Sequence, residues 1–78
     1  MRHIQVLGPG CPKCAKLAAN AETAVGQLGI EATVERITDL QKIITFGVLM
    51  TPALVIDGRV RAVGTLLSSD AIKDLLGA

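Results

Sequence analysis

Two cysteines separated by two residues lie in the segment GPGCPKC, Gly8 to Cys14, and the chain has no others. A Cys-x-x-Cys pair serves three kinds of chemistry: a structural disulfide, a thiolate metal site, or a dithiol that exchanges disulfides. The spacing alone leaves all three open. The composition and the elements that hold the two sulfurs must therefore decide between them.

The composition describes one small domain with an aliphatic core. The chain has 78 residues, half of them hydrophobic, with one aromatic side chain and a formal net charge of +1. A nucleic-acid partner normally requires a concentrated basic surface or stacking aromatics, and the sequence has neither. No apolar run approaches the roughly 20 residues that cross a bilayer, and the N-terminal run is too short for a signal peptide. We therefore expect a cytoplasmic monomer, one domain over residues 1–78, without nucleic-acid or membrane partners.

A structural disulfide explains the cysteine pair poorly. Such bridges are uncommon in the cytoplasm, where thiols are kept reduced. A bridge that encloses only Pro12 and Lys13 would also restrict the unfolded chain little, because the entropic gain grows with loop length. The metal and exchange hypotheses depend on the neighbouring elements.

The hydrophobic pattern predicts the element order β-α-β-α-β-β-α. A strand at His3–Leu7 ends in Gly8-Pro9-Gly10, and apolar residues then recur at helical spacing up to Gly29, a typical left-handed cap. An edge strand is predicted at Glu31–Arg36, and a second helix follows that is capped by Thr38, ends at Gly47 and has Leu40, Ile43 and Ile44 inward. Two strands are then predicted around the turn Asp57-Gly58. The last element is a helix capped by Ser68 or Ser69, with Ile72, Leu75 and Leu76 inward. The first two strands should be parallel and the last two an antiparallel hairpin.

This order places the first cysteine at the junction between a strand and a helix. Cys11 is then the N-cap, and Pro12 takes the first helical position, where its missing N–H would have had no partner. The unpaired N–H groups of the first turn and the helix dipole stabilise a thiolate at Cys11, and Lys13 and Lys16 favour the same charge. Such surroundings lower the pKa of a cysteine. We therefore expect Cys11 to be an activated thiol.

The second cysteine lies one helical turn later, at the head of the apolar stripe. Cys14 should be sheltered, with its Cβ roughly 5–6 Å from that of Cys11. Disulfide exchange requires one accessible, activated sulfur beside a second sulfur that completes the reaction. We interpret Cys11 as the attacking thiol, Cys14 as the resolving thiol and Lys13 as a residue that tunes their electrostatics. No bound cofactor is implied.

These features resemble the thioredoxin fold, most closely the small glutaredoxin-like proteins called redox-active disulfide proteins. The resemblance covers nearly the whole chain: Cys-Pro-Lys-Cys after strand one, the βαβαββα order, Thr51-Pro52 before strand three and Gly64 after strand four. It implies a minimal thioredoxin fold, α/β, with a four-stranded mixed sheet flanked by three helices, and a thiol–disulfide oxidoreductase. It also implies that Pro52 is a cis-proline packed against the sulfurs, and that the backbone of Thr51 pairs with an extended substrate strand. The implied partners are protein disulfides and an unidentified reductase.

Several positions depart from the larger families that the chain resembles. Thioredoxins bury an aspartate six residues before the first cysteine, where this chain has Gln5, so the proton acceptor for Cys14 stays open. Glutaredoxins carry Tyr in place of Lys13, and a Gly-Gly-Asp glutathione site where this chain has Val63-Gly64-Thr65. A glutathione site is therefore doubtful.

A soft-metal binding module is the main alternative. The loop is superficially similar to the Gly-Met-x-Cys-x-x-Cys segment of heavy-metal-associated domains, which hold copper or zinc through two thiolates. Pro9 replaces the Met, the element order differs, and structural zinc would need more ligands than two cysteines and His3, which is more simply a strand residue. A third hypothesis is a docking scaffold that uses Phe46–Met50, but we favour packing of this run beneath Pro52.

Overall fold

The structure is a computed structural model that describes residues 2–77. Its elements are β1 (Arg2–Leu7), α1 (Pro12–Leu28), β2 (Ala32–Ile37), α2 (Leu40–Thr45), β3 (Ala53–Ile56), β4 (Arg59–Val63) and α3 (Ser69–Gly77). The strands form one sheet in the order β2-β1-β3-β4, with β1 parallel to β2 and the other neighbours antiparallel. The predicted mixed four-stranded sheet with three helices, a minimal thioredoxin fold, is confirmed. None of the helices within residues 2–77 has the length and apolar character needed to cross a membrane.

Alternation along the two central strands divides the core between the two faces of the sheet. Successive side chains of a strand point to opposite faces, so β1 and β3 each contribute to both parts. The larger core lies under α1 and α3, and its strand members are Ile4, Val6, Leu54 and Ile56. The smaller core lies under α2, and its buried members are Leu7, Ile43, Val48, Ala53 and Val55.

Helix α1 has the predicted caps at both ends. Cys11 is the N-cap, with extended backbone at φ −71° and ψ 158°, and Pro12 is the first helical residue. At the other end Gly29 has φ 64°, and its N–H donates to the Val25 carbonyl at 3.0 Å. The buried stripe of the helix consists of Cys14, Leu17, Ala18, Ala21 and Ala24.

Helix α2 begins at a different cap from the one predicted. Asp39 is the N-cap, and its Oδ1 accepts the N–H of Gln41 at 2.9 Å, so the prediction of Thr38 was wrong. Both residue types cap helices well, and the carboxylate also interacts favourably with the positive end of the helix dipole. The predicted end is close, because Phe46 is the C-cap and Gly47 follows with φ 76°.

The apolar face predicted for α2 is also mostly wrong. Leu40 is 60% exposed and Ile44 is 58% exposed, and only Ile43 is buried. The helix has six residues, which is fewer than two turns. One side chain therefore reaches the sheet, while the other two point to solvent.

The C-terminal half follows the prediction. Asp57 and Gly58 have φ of 52° and 82°, the left-handed pair that a two-residue hairpin turn requires. The carboxylate of Asp57 accepts the N–H of His3 at 2.9 Å, which fixes this turn to β1. Ser68 caps α3 by accepting the N–H of Ala71 at 3.2 Å. The inward side of α3 consists of Ile72 and Leu76, which are buried, and Leu75, which is half-buried.

Candidate active site

The two cysteines are joined by a disulfide across the first turn of α1. Their Cα atoms are 5.1 Å apart, and the backbone N–H of Cys14 donates to Cys11 Sγ at 3.2 Å. The sulfur of Cys11 therefore occupies the position of a capping oxygen at the helix N-terminus. This position stabilises negative charge on the sulfur when the disulfide opens, since the N–H group and the helix dipole both favour an anion.

The two sulfur-bearing residues differ in exposure. Cys11 is half-buried, whereas Cys14 is 0% exposed. Pro12, Lys13 and Lys16 are exposed around them, and the first turn of α1, which the structure describes in full, has no acidic residue. The neighbourhood of the more accessible sulfur is therefore electropositive. This asymmetry fits an attacking and a resolving thiol, the roles that we predict.

Gly8 lies against the buried sulfur, a contact that sequence reasoning missed. A Cβ added to Gly8 would overlap Cys14 Sγ and would lie 2.9 Å from Cys14 Cβ and 3.9 Å from Thr51 Cβ. The first turn of α1 and the loop before β3 therefore both approach Gly8 at the end of β1. The available signal was a glycine that directly follows a buried strand and precedes the first cysteine by three residues, which also suits an ordinary turn.

Thr51 and Pro52, the residues implied by the resemblance, lie at this same junction. The peptide bond between them is cis, and Pro52 is buried directly before β3. The carbonyl of Pro52 accepts the N–H of Gly64 at 2.7 Å, which joins the loop to the residue after β4. The structure thus places the side chain of Thr51 next to Gly8, which itself contacts Cys14.

The run Phe46–Met50, which we predict to pack beneath Pro52, is buried only in part. Val48 is buried in the smaller core, but Leu49 is 94% exposed and Met50 is 62% exposed, so the packing interpretation was wrong for these two residues. The Met50 side chain lies over Gly64, where an added Cβ would be 3.2 Å from its Cε. Apolar side chains in solvent, directly before Thr51-Pro52, are candidate contacts for a protein partner.

Gln5, which stands where thioredoxins bury an aspartate, belongs to a polar cluster on the α2 face of the sheet. Its amide donates to Glu35 Oε1 at 3.1 Å, and His3 Nε2 lies 3.2 Å from the same oxygen. The hydrogen bond from Gln5, and then that from His3, hold the pKa of Glu35 below its ordinary value. Gln5 and Glu35 also line a cavity of about 380 Å³ between β2 and α2, and neither cysteine is among its lining residues.

No observation favours the soft-metal alternative. Within residues 2–77, no group of three or more His, Cys, Asp or Glu side chains is placed to hold a metal ion. His3 pairs with Glu35, so it does not join the sulfurs. The donor set available in the described chain is therefore the pair Cys11 and Cys14.

Comparisons with known proteins agree with one another. A family model described as "Thioredoxin domain" matches residues 2–77, which include every helix and strand given above. A protein named thioredoxin from Methanothermobacter thermautotrophicus is 38% identical over 76 residues, which are 97% of this chain and 99% of that protein. Another protein named thioredoxin, from Methanocaldococcus jannaschii, is 36% identical over 73 residues, 94% of this chain and 84% of that protein.

Proposed function

The chain belongs to the thioredoxin family and is a protein disulfide oxidoreductase, and we propose that in this activity Cys11 attacks and Cys14 resolves. One observation carries the assignment: the more accessible sulfur accepts the N–H of Cys14 at the helix N-terminus, at 3.2 Å, while its partner residue is buried. A thiolate forms most easily where N–H groups and a helix dipole stabilise it, and an attacking thiol must also be reached by its substrate.

The reaction proceeds through a mixed disulfide. The Cys11 thiolate attacks one sulfur of a substrate disulfide, and the other substrate sulfur leaves as a thiolate and takes up a proton. Cys14 then loses its proton and attacks Cys11 Sγ, so that the second substrate sulfur leaves and is protonated. Two electrons pass from the chain to the substrate, and the chain ends with the Cys11–Cys14 disulfide. A reductase must return two electrons and two protons to restore the dithiol.

Pro12 and Lys13 set the electrostatics of the attacking sulfur in this proposal. Pro12, whose fixed φ suits the first helical position, starts the helix directly after Cys11, and the N–H of Cys14 in that first turn donates to Cys11 Sγ. Lys13 is exposed in a turn without acidic residues, and its ammonium group favours the thiolate over the thiol. Both residues therefore favour attack at neutral pH.

The substrate that we propose is an extended protein segment around a disulfide. Its backbone pairs with Thr51, next to Pro52, in the way that a strand is added to a sheet edge. The exposed side chains of Leu49 and Met50 support this choice, because a protein segment can cover them. Met50 also supports protein disulfides over glutathione, because its side chain lies over Gly64, in the segment that stands where glutaredoxins carry their glycine pair.

We extend the proposal to the whole chain, residues 1–78, as one thioredoxin-like domain that acts as a cytoplasmic monomer. The family match over residues 2–77 and the 99% coverage of one relative support a single domain. A dithiol that a reductase must regenerate supports a reducing compartment. Light scattering of the purified protein would test the monomer, and a stable dimer would contradict it.

A dithiothreitol-driven assay on a protein disulfide tests the two roles. Cys11→Ser should abolish turnover, whereas Cys14→Ser, reduced beforehand and freed of dithiothreitol, should retain attack on the substrate and accumulate a mixed disulfide that mass spectrometry detects. Ala15→Ser, at an exposed position of the same turn, is the matched control and should keep the wild-type rate. Equal turnover of all four proteins, or a trapped adduct on Cys14 in the Cys11→Ser variant, would contradict the assignment.

A further inference from the structure

Gly8 occupies the one position of the dithiol junction at which even a methyl group meets the resolving sulfur. We propose that Gly8 is a positioning residue whose missing side chain leaves the space that Cys14 Sγ occupies in the disulfide form. Gly8 therefore sets how readily the disulfide closes. This inference rests on the proposed function, because it concerns the same two cysteines.

Space, not backbone conformation, explains the glycine at position 8. Gly8 is buried, its N–H donates to the Ile37 carbonyl at 2.9 Å, and its φ lies outside the left-handed region that favours glycine. Gly10 is the opposite case: it has φ 95°, and no atom of the described residues lies within 4 Å of an added Cβ. An alanine at position 8 would thus have an allowed backbone but would overlap Cys14 Sγ.

The overlap has one component that depends on the redox state and one that does not. An added Cβ would lie 2.9 Å from Cys14 Cβ whether the sulfurs are bonded or not, and this contact costs both forms. In the disulfide, Cys14 Sγ is fixed by its bond to Cys11 Sγ. In the dithiol, the same sulfur can rotate about Cα–Cβ to another staggered position. A methyl group at Gly8 therefore opposes the disulfide more than the dithiol.

The redox step itself balances in the usual way. The disulfide takes up two electrons and two protons from a reducing dithiol, becomes two thiols, and leaves the reductant as a disulfide. Penalising the oxidised form shifts this equilibrium towards the dithiol and makes the chain a stronger oxidant. If Gly8 were required only for folding, its replacement by alanine would destabilise the disulfide and the dithiol forms equally. The redox equilibrium between them would then stay unchanged.

The test measures the fraction of closed disulfide in buffers of reduced and oxidised dithiothreitol, read by alkylation and mass spectrometry. Gly8→Ala should shift the equilibrium at least tenfold towards the dithiol, which corresponds to about 30 mV for a two-electron couple. Gly26→Ala is the matched control, because Gly26 is exposed in α1 and an added Cβ there meets no described atom within 4 Å. It should keep the wild-type equilibrium. Coincidence of all three proteins would overturn the proposal.

A second pair of variants covers the case in which Gly8→Ala does not fold. In Cys14→Ala the sulfur is absent, so adding Gly8→Ala should cost much less unfolding free energy than it costs the oxidised wild type. A folded double variant supports the proposal, and a double variant that is destabilised as much as Gly8→Ala alone overturns it. A wild type that never closes its disulfide would contradict the proposed function. A wild type that closes it normally, together with a Gly8→Ala variant whose equilibrium is not shifted, would overturn only the role of Gly8.

Discussion

The two faces of the sheet carry helices of different kinds. Helix α1 has 17 residues, caps at both ends and a continuous buried stripe, whereas α2 has six residues and one buried side chain. The large apolar side chains of α1 are buried or half-buried. Several apolar side chains in α2 and in the loop after it are exposed instead, namely Leu40, Ile44, Leu49 and Met50. The α1 face therefore supplies stability and fixes the dithiol, while the α2 face leaves apolar surface uncovered.

Truncating one leucine on each helix gives the largest expected difference. Leu17→Ala should lower the free energy of unfolding by about 2–5 kcal/mol, because Leu17 is fully buried in the larger core and its loss leaves a cavity. Leu40→Ala should change it by about 0.5 kcal/mol or less, as exposed substitutions usually do. Urea denaturation of both variants measures the comparison. Equal losses would mean that the α2 face is covered in solution.

The sequence predicted α1 well because several independent signals coincide there. Four signals specify the same helix boundaries: the cap at Cys11, the proline at the first helical position, the apolar period and Gly29. A helix can be predicted from sequence when independent signals agree in this way. Helix α2 offers less. Thr38 and Asp39 are adjacent capping residues, and a six-residue helix is too short for its period to show which side faces the sheet.

The residues of the candidate site also differ in how far the sequence alone could predict them. The helix start alone placed Cys11 at the N-cap and made Cys14 the sheltered partner, since both follow from local geometry. Thr51 and Pro52 came only from the resemblance, because no local signal indicates that this loop folds back onto the first turn of α1. The contact of Gly8 with the sulfur of Cys14 was likewise hidden, because it is a tertiary contact of a residue without a side chain.

The second prediction asks whether the exposed apolar surface next to Thr51 has a function. Met50→Ser should lower kcat/KM for a protein disulfide about tenfold, or ~1.4 kcal/mol of transition-state stabilisation, because an apolar contact with the substrate is lost. The rate with a small disulfide such as cystamine should not change. Steady-state kinetics with both substrates measure this selectivity.

Leu40→Ser is the matched control for Met50→Ser. Leu40 is 60% exposed against 62% for Met50, but it lies on the outer side of α2. It should leave both rates unchanged. A loss on protein disulfides in this variant would extend the substrate surface onto α2, and unchanged kinetics in Met50→Ser would remove Met50 from it.

The third prediction separates the two neighbouring caps of α2. Asp39→Ala should cost about 1 kcal/mol of unfolding free energy, since the N–H of Gln41 loses its acceptor. Thr38→Ala should cost a few tenths of that. Urea denaturation can resolve this difference, and a larger loss in the Thr38 variant would restore the cap that the sequence predicted.

The smallest expected effect concerns pH, through a carboxylate at the hairpin turn. Asp57 accepts the N–H of His3 at 2.9 Å and Arg2 Nε at 2.6 Å, and these bonds, the backbone one first, hold its pKa below the ordinary 3.8. A pKa lowered by folding contributes stability that is present above the unfolded-state value and is lost as pH falls through the folded-state value. Unfolding free energy measured between neutral pH and about pH 3 should therefore decline in the wild type.

Asp57→Asn isolates the charge, because Asn also tolerates the left-handed turn and its oxygen can still accept the N–H of His3. The variant should lose part of the acid-limb decline and change little in stability at neutral pH, where the exposed pair with Arg2 is weak. Salt should reduce the wild-type decline only partly, since screening acts on the ion pair and less on the backbone hydrogen bond that is the larger cause. If salt abolished the decline completely, the lowered pKa of Asp57 would be due to the ion pair with Arg2. The same ion pair would then be what attaches the turn to β1.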